Sequence, residues 1–268
     1  MALIQVNFVS KCLMRTVPIQ VILPVDQHPL ENAEKEERPF KTLYLLHGIF
    51  GNHTDWVTNT RIQKWAEAKN LAVVMPAGDN AFYLDYPQTG NLYGEFIGRE
   101  LVEMTRRMFP LSHKREDTFI GGLSMGGFGA MRNGLKYSDI FGAIASFSGA
   151  FHVMDYEHFD PKTRAFGEGI FGDLAEFVKS DKNPAVLAKS LAEAEGKPRI
   201  YMSCGTEDAL MPANRAFRKV LEENGFDVTW YEGPGGHDWD VWNGDIQRVL
   251  EWLPLDGASE GLNSGNVG

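Results

Sequence analysis

The sequence lacks the features that define several classes of protein. Its 268 residues include only two cysteines, Cys12 and Cys204, which are too few for a disulfide framework or a structural zinc site. No apolar run approaches the roughly 18–20 residues of a membrane span, and the first residues lack the basic and apolar regions of a signal peptide. Positive charge is scarce, since 26 Lys and Arg against 36 Asp and Glu give a net charge of −10. We therefore expect a cytoplasmic protein with free thiols that binds neither nucleic acid nor an anionic membrane.

What the sequence contains indicates one α/β domain. Short apolar segments alternate with helical patterns, which predicts a mostly parallel sheet covered on both faces by helices, preceded by an antiparallel pair of strands. The predicted strands are Ile4–Val9, Thr16–Leu23, Thr42–Leu46, Ala72–Met75, Thr118–Gly121, Ala143–Phe147, Ile200–Cys204 and Val228–Tyr231. The predicted helices are Arg61–Lys69, Glu95–Phe109, Gly126–Lys136, Asn214–Asn224 and Trp239–Trp252. Reactive groups on such a sheet are expected at the carboxyl ends of the strands.

Three segments depart from this alternation. Residues 26–39 are charged and contain two prolines, which predicts a solvated loop. Residues 151–197 form a long excursion between two strands, with aromatic side chains and apolar periodicity that predict an ordered lid or cap. The domain is expected to span residues 1–253, and residues 254–268, rich in Gly, Ser and Asn, are expected to form a flexible tail.

Gly122–Gly126 is a G-x-S-x-G motif with a predicted strand before it and a helix rich in small residues after it. A sharp turn from strand to helix needs small neighbours, because it lifts the serine hydroxyl clear of the sheet. A glycine-rich nucleotide-binding turn is the alternative, but it requires G-x-G-x-x-G after the first strand and an acidic residue about 20 positions later. The sequence has neither, so Ser124 is the predicted nucleophile.

A serine nucleophile needs a base and an acid that orients it, and in this arrangement both follow the serine along the chain. Of the seven histidines, His237 follows the last predicted strand in a glycine-rich loop and is the predicted base. For the acid, Glu207 and Asp208 both follow the strand Ile200–Cys204. Asp208 is preferred because its side chain is shorter and because it occupies the usual Gly-x-x-Asp position after Gly205. A metal site at His237 and Asp240 is disfavoured because no third clustered ligand is present.

The tetrahedral oxyanion of acyl transfer needs two amide donors. One is expected from Met125, the residue after the nucleophile. The other is expected from the loop after strand Thr42–Leu46, which begins His47-Gly48. We assign it to Ile49, with Phe50 as the alternative.

These motifs, taken in order, resemble the esterase D and tributyrin esterase branch of the α/β-hydrolases. The similarity extends over roughly residues 1–253 and rests on Tyr44–Trp56, Gly121–Met131, Cys204–Asp208 and Gly235–Trp239. That branch also includes S-formylglutathione hydrolases, feruloyl and acetyl-xylan esterases and mycolyltransferases. The resemblance implies an α/β-hydrolase fold with a lid-like insertion.

The resemblance also implies roles for particular residues. The family's nucleophile, acid and base correspond to Ser124, Asp208 and His237, and its oxyanion amides to Met125 and Ile49. It further implies short acyl groups, sometimes on acetylated or feruloylated sugars, no cofactor, and a homo-oligomer as a plausible assembly. S-formylglutathione hydrolases usually carry Ser-Gly in place of His-Gly and a cysteine shortly afterwards, and this sequence departs from both features.

A group of aromatic residues is predicted in loops at the same end of the sheet as Ser124. Aromatic faces suit sugar rings and phenolic acids, although anchoring of the loops in the core is an equally good interpretation. The candidate substrate-binding residues are Trp56, Phe82, Tyr83, Tyr86, Trp239 and, in the lid, His152.

The sequence thus predicts a serine carboxylesterase that acts on small-molecule esters with short acyl chains. Alternatives that use the same residues are a thioesterase acting on S-formylglutathione and an acyltransferase. A binding protein without catalytic activity is disfavoured, because it has no need for Ser124, Asp208 and His237 together.

Overall fold

The computed structural model describes residues 1–25 and 39–255. Most of the predicted loop at 26–39, and residues 256–268 of the predicted tail, lie outside the described residues. No helix within the described ranges is long and apolar enough to cross a membrane.

An eight-stranded sheet forms the centre of the molecule, in the order β1-β2-β4-β3-β7-β8-β9-β10. The strands β1 to β2 and β2 to β4 pair antiparallel, and all other neighbours in this sheet pair parallel, which confirms the predicted arrangement. A short hairpin, β5 with β6, lies outside it. The strands are β1 (Ala2–Ser10), β2 (Arg15–Leu23), β3 (Thr42–Leu46), β4 (Ala72–Pro76), β5 (Asp85–Tyr86), β6 (Asn91–Leu92), β7 (Thr118–Leu123), β8 (Ala143–Phe147), β9 (Arg199–Gly205) and β10 (Val228–Gly233).

Helices cover both faces of the sheet, because the central strands are apolar on both sides and each side forms its own core cluster. Helices α2 and α10 pack on one face, and α4, α5 and α9 pack on the other. The helices are α1 (Asp55–Asn59), α2 (Ile62–Ala68), α3 (Tyr93–Glu95), α4 (Leu101–Met108), α5 (Met125–Lys136), α6 (Pro161–Phe171), α7 (Leu174–Phe177), α8 (Pro184–Ser190), α9 (Met211–Glu223) and α10 (Trp239–Trp252).

The predicted helix Glu95–Phe109 is interrupted by a π-helical turn at Phe96–Glu100, between α3 and α4. The carboxylate of Glu100 accepts hydrogen bonds from the Ser10 hydroxyl at 2.5 Å and the Lys11 amide at 2.6 Å. The irregular turn thereby ties this helical segment to the turn between β1 and β2.

Residues 151–197 form two 3₁₀ turns followed by α6, α7 and α8, and we call this segment the cap. Its aromatic side chains enter the core, where Phe151 stacks on Phe217 with ring centroids 4.1 Å apart and Phe171 stacks on Phe177 at 4.5 Å. The buried guanidinium of Arg132, on α5, also bonds the Asp181 carbonyl at 3.1 Å. The cap is therefore attached to the helix that follows Ser124.

Candidate active site

Ser124 lies between β7 and α5 in a strained backbone conformation, with φ 53° and ψ −117°. The turn closes tightly around two glycines: a Cβ atom at Gly122 would lie 2.5 Å from the Gly126 carbonyl oxygen, and one at Gly126 2.5 Å from the Leu46 oxygen. The Ser124 amide donates to the Phe147 carbonyl at 2.8 Å. Neighbouring strands therefore hold the serine in place, and its side chain remains at the surface end of the sheet.

Three side chains from distant parts of the chain form one line of hydrogen bonds. His237 Nε2 lies 2.9 Å from Ser124 Oγ, and His237 Nδ1 lies 2.8 Å from Asp208 Oδ2. A carboxylate only accepts hydrogen bonds, so Nδ1 carries the proton and Nε2 is free to accept one from the serine hydroxyl. Asp208 is buried, whereas the His237 side chain is 36% exposed and reachable from solvent.

The Asp208 carboxylate is held in its ionised form. Burial on its own would raise the pKa of this group, but hydrogen bonds from His237, from the Leu210 amide at 2.8 Å and from Ser148 outweigh it and hold the pKa below its usual range. A permanently charged partner therefore faces the imidazole.

Glu207, the alternative acid, has a different role. Its carboxylate accepts a hydrogen bond from the Gly235 amide, and its own amide donates to the Gly235 carbonyl at 3.1 Å. It holds the loop that carries His237. The structure brings Asp208, and not Glu207, to the imidazole.

The two predicted oxyanion donors flank Ser124. Met125 is the first residue of α5, so its amide has no partner within the helix. On the other side, a Cβ at Gly48 would lie 3.6 Å from Ser124 Cβ, so the loop after β3 passes directly over the serine. The amide of Phe50, the alternative donor, is already engaged by Asn80 Oδ1 at 2.8 Å. This arrangement favours Ile49 over Phe50.

His47 holds that loop in place. Its Nε2 accepts a hydrogen bond from the Gly78 amide at 2.8 Å, and its Nδ1 donates to the Gly48 carbonyl at 2.7 Å. The Tyr83 hydroxyl donates to the His47 carbonyl at 3.0 Å. Burial lowers the pKa of His47, which keeps the imidazole neutral. In the sequence, His47 was recognisable only as part of the His-Gly motif, and its supporting role was not predicted.

Three of the predicted substrate contacts are core residues instead. Trp56, Phe82 and Tyr83 are 1%, 4% and 0% exposed, so the prediction that they line a pocket is wrong for this structure. Trp56 lies in α1 and not in a loop, and its Nε1 donates to the Leu46 carbonyl at 3.0 Å. The polar atoms of Trp56 and Tyr83 find backbone acceptors inside the protein, which allows burial of the whole side chain.

The remaining candidates are distributed around the site. Tyr86 is half-buried in β5 and lines a cleft of about 360 Å³ between that hairpin and the cap, and Ser124 is not part of its lining. Trp239, the first residue of α10, is half-exposed and contacts the Trp56 ring at 5.3 Å. His152 lies beside His237: shielding from water and the neighbouring His237 both lower the pKa of His152. His152 is therefore close enough to His237 and Asp208 for their charges to affect it.

Two further residues beside the hydrogen-bonded line were not identified from the sequence. The Trp242 ring meets the His237 ring edge to face, with centroids 4.9 Å apart. Its indole Nε1 donates to Ser148 Oγ at 3.2 Å. The position of Ser148 directly after a buried strand was the one signal available in the sequence, since the carboxyl ends of parallel strands form the site.

Comparison with known proteins identifies the family of this chain. A family model described as "Putative esterase" matches residues 10–253. An acetyl esterase from Caldicellulosiruptor saccharolyticus is 43% identical over 263 residues, which cover 94% of this chain and 98% of that protein. Among solved structures, the fluorophosphonate-binding serine hydrolase F of Staphylococcus aureus superposes with a TM-score of 0.81 at 32% identity, covering 95% and 99% of the two chains. An S-formylglutathione hydrolase from Staphylococcus aureus gives 0.80 at 31%, covering 94% and 98%. The chain belongs to the "Putative esterase" family and is a carboxylic ester hydrolase with the α/β-hydrolase fold.

Proposed function

We propose that the protein is a serine esterase that hydrolyses short-chain acyl esters, with Ser124 as nucleophile, His237 as base and Asp208 as the orienting acid. The observation that supports this most directly is the line of hydrogen bonds from Ser124 Oγ through His237 to Asp208, with both distances below 3 Å. Such a line activates a hydroxyl that is otherwise a weak nucleophile.

The reaction then follows from the geometry. His237 Nε2 takes the hydroxyl proton as Ser124 Oγ attacks the ester carbonyl, and Asp208 stabilises the imidazolium that forms. The amides of Met125 and Ile49 donate to the oxyanion. His237 next protonates the leaving alcohol, an acyl-enzyme remains on Ser124, and water repeats the sequence to release the carboxylic acid.

The substrate we propose is an acetyl or butyryl ester, including acetylated or feruloylated sugars. The 43% identity to an acetyl esterase over nearly the full length of both chains supports the short acyl group. Ser124 is only 8% exposed beneath the loop at Gly48, which favours a small group at the carbonyl.

His152 and Trp239 are the residues that we propose for the leaving-group side. Because His237 hands its proton to the leaving oxygen, side chains beside His237 face the departing alcohol. His152 is close enough to His237 for the charges to interact, and the half-exposed Trp239 packs against Trp242, which contacts the His237 ring.

Thioester hydrolysis is the second candidate. The 31% identity to an S-formylglutathione hydrolase, with 94% of this chain covered, favours it. The same groups would attack a thioester carbonyl, and the departing group would be a thiol.

Initial rates on acetyl, butyryl, octanoyl and feruloyl esters and on S-formylglutathione separate these candidates. We expect the acetyl or butyryl ester to be fastest. Replacing Ser124 by Ala removes the nucleophile and should lower kcat/KM by about 10⁴-fold or more. A dominant thioester rate would favour the second candidate, and a rate that survives in Ser124→Ala would refute the role of Ser124.

We further propose that the protein works in a reducing compartment such as the cytoplasm. Cys12 and Cys204 are both unpaired, and Cys204 is buried next to the site. Fractionation of the source cells, followed by detection of the protein in each fraction, tests this location.

A further inference from the structure

We propose that Ser148 and Trp242 are positioning residues that fix the Asp208 carboxylate and the His237 ring relative to each other. This inference rests on the proposed function, because it assigns these two residues a role in activating Ser124. Neither residue contacts Ser124 through its side chain in the hydrogen bonds that the structure describes.

Trp242 contacts His237 directly and is connected to Asp208 only through Ser148. Its ring is 5% exposed and packs perpendicular to the His237 ring, at an interplanar angle of 89°. Its indole nitrogen, which only donates, bonds Ser148 Oγ at 3.2 Å. The Trp242 side chain therefore restricts rotation of the His237 imidazole and also orients the Ser148 hydroxyl.

The Ser148 hydroxyl can still donate its own proton, and the Asp208 carboxylate and the Cys204 thiol are the groups beside it. Because Oγ is the acceptor for Trp242, its hydrogen is free to be donated elsewhere, and Ser148 lies close enough to Asp208 to help lower the pKa of that carboxyl. Asp208 accepts from the Leu210 amide at Oδ1 and from His237 at Oδ2. We infer that Ser148 acts as a third donor, which would hold the carboxylate in the orientation that His237 needs.

The backbone conformation of Ser148 indicates that its side chain has a functional role. Ser148 is fully buried and adopts φ 46°, a left-handed conformation that glycine adopts with less strain. Its amide donates to the Ser203 carbonyl at 2.8 Å, which fixes that conformation. Glycine would adopt this conformation with less strain, so the hydroxyl group, and not the backbone, explains why serine occupies this position.

Replacing Ser148 by Gly or by Ala separates these effects. Both changes remove the hydroxyl, but only Gly relieves the backbone strain, so Ser148→Gly should be more stable than Ser148→Ala. We expect both variants to lose about tenfold in kcat/KM on the acetyl ester, the usual scale for one hydrogen bond to a charged group. Trp242→Phe keeps the ring against His237 and removes the donor, and it should lose a smaller factor.

The pH profile gives a readout that simple packing would not change. Without the Ser148 donor, the Asp208 carboxylate presents more negative charge to His237 and stabilises the imidazolium. The fall in kcat/KM on the acid side should therefore move to higher pH in both Ser148 variants. The other titratable groups around the pair, His152, Cys204, Glu207 and Asp238, are unchanged in these variants.

Ser146→Ala is the matched control. Ser146 lies two residues earlier, is equally buried, and its Oγ has no hydrogen-bond partner among the described residues. We expect Ser146→Ala to keep the wild-type rate and pH profile. Unfolding by denaturant, measured for every variant, separates loss of activity from loss of folded protein.

Covalent labelling of Ser124 by a fluorophosphonate supplies a readout that does not depend on the ester chosen. Labelling should slow in the Ser148 variants but not in Ser146→Ala. The proposal is overturned if Ser148→Gly labels and hydrolyses like the control, or if only the less stable Ala variant loses activity. If the wild type labels but hydrolyses none of the esters, the proposed substrate fails while the labelling rates still decide the role of Ser148. If the wild type does neither, both proposals fail.

Discussion

Asp208 and Glu207 are adjacent acidic residues that occupy different environments. Asp208 is buried and accepts from His237, and exposed Glu207 accepts from the Gly235 amide in the loop that carries His237. The sequence favoured Asp208 because of its shorter side chain and its Gly-x-x-Asp position. The sequence did not indicate the role of Glu207, an exposed acid that supports the loop carrying His237.

This difference predicts unequal effects of two isosteric substitutions. Asp208→Asn removes the charge that stabilises the imidazolium and favours the wrong tautomer of His237, so kcat should fall by about 10³- to 10⁴-fold. Glu207→Gln keeps an oxygen that can accept from Gly235, so kcat should fall less than about tenfold.

Steady-state kinetics on the acetyl ester measure both variants, with circular dichroism as the control for folding. A larger loss in Glu207→Gln than in Asp208→Asn would contradict the assignment of the acid.

The buried aromatic residues show where residue patterns stop being informative. Trp56, Phe82 and Tyr83 have the composition of a sugar-binding surface, and all three are at most 4% exposed. Their burial depends on partners remote in the sequence, such as the Leu46 and His47 carbonyls that accept from Trp56 and Tyr83. No local pattern encodes such pairings, so a choice between pocket and core required the fold.

At the scale of secondary-structure elements, the loop after β3 is the part of the site that is least stabilised by packing. Phe50 adopts φ 65° and exposes 85% of its side chain, so little apolar burial stabilises this conformation. The hydrogen bond from its amide to Asn80 Oδ1 connects the loop to the segment after β4. That single side chain helps to set the direction of the neighbouring Ile49 amide.

Replacing Asn80 by Ala should therefore weaken the oxyanion hole. We expect kcat to fall by about tenfold with little change in KM, less than the roughly 10²–10³-fold loss that follows direct removal of a donor. Kinetics on the acetyl ester measure the effect.

Asn52→Ala is the matched control for this loop. Asn52 Oδ1 accepts from the Thr54 amide and hydroxyl, both at 2.8 Å, and so bonds the far end of the same loop. Equal losses in the two variants would show that general loosening of the loop, and not the Phe50 amide, is responsible.

The strands were predictable because their apolar runs are bounded by clear turns, and each predicted strand is present within three residues of its expected ends. Helix ends were less predictable. Helix α9 begins at Met211, three residues before the predicted start, because Pro212 is tolerated in the first turn of a helix. The order of strands in the sheet brings Ser124, Asp208 and His237 together. The sequence motifs alone were enough to identify these three residues, without knowledge of that order.

At the scale of the whole molecule, buried histidines couple stability to pH. Burial or shielding lowers the pKa of His47, His53 and His152 below the ordinary value of about 6.5. The unfolded chain therefore binds protons that the folded protein does not, as pH falls below about 6.5. By linkage, the free energy of unfolding should decrease over that range.

Asp245 acts in the opposite direction. Burial raises its pKa to about 6, so the folded protein binds a proton there between about pH 6 and the lower pKa of the unfolded chain. This partly offsets the loss caused by the three histidines.

Denaturant unfolding at pH 7.5, 6.5 and 5.5 measures the net effect, and we expect stability to fall with each step. His47→Gln should show a flatter dependence than the wild type. His158→Gln should have the opposite effect, a steeper fall than the wild type, because the Asp155 side chain raises the pKa of His158 and so favours the folded protein as pH decreases. A stability that rises steadily from pH 7.5 to 5.5 would contradict the prediction.

The position of His237 along the chain has a consequence for biosynthesis. The ribosome makes Ser124 before Asp208 and His237. Strand β9, which precedes Asp208, follows later, and the loop that carries His237 and the supporting helix α10 are made last among the described elements. A nascent chain can present the serine with no base to activate it. If His237 is the base, as we propose, the polypeptide stays unreactive toward acyl compounds throughout most of its translation, and hydrolytic competence arises only once the C-terminal helix has emerged and docked.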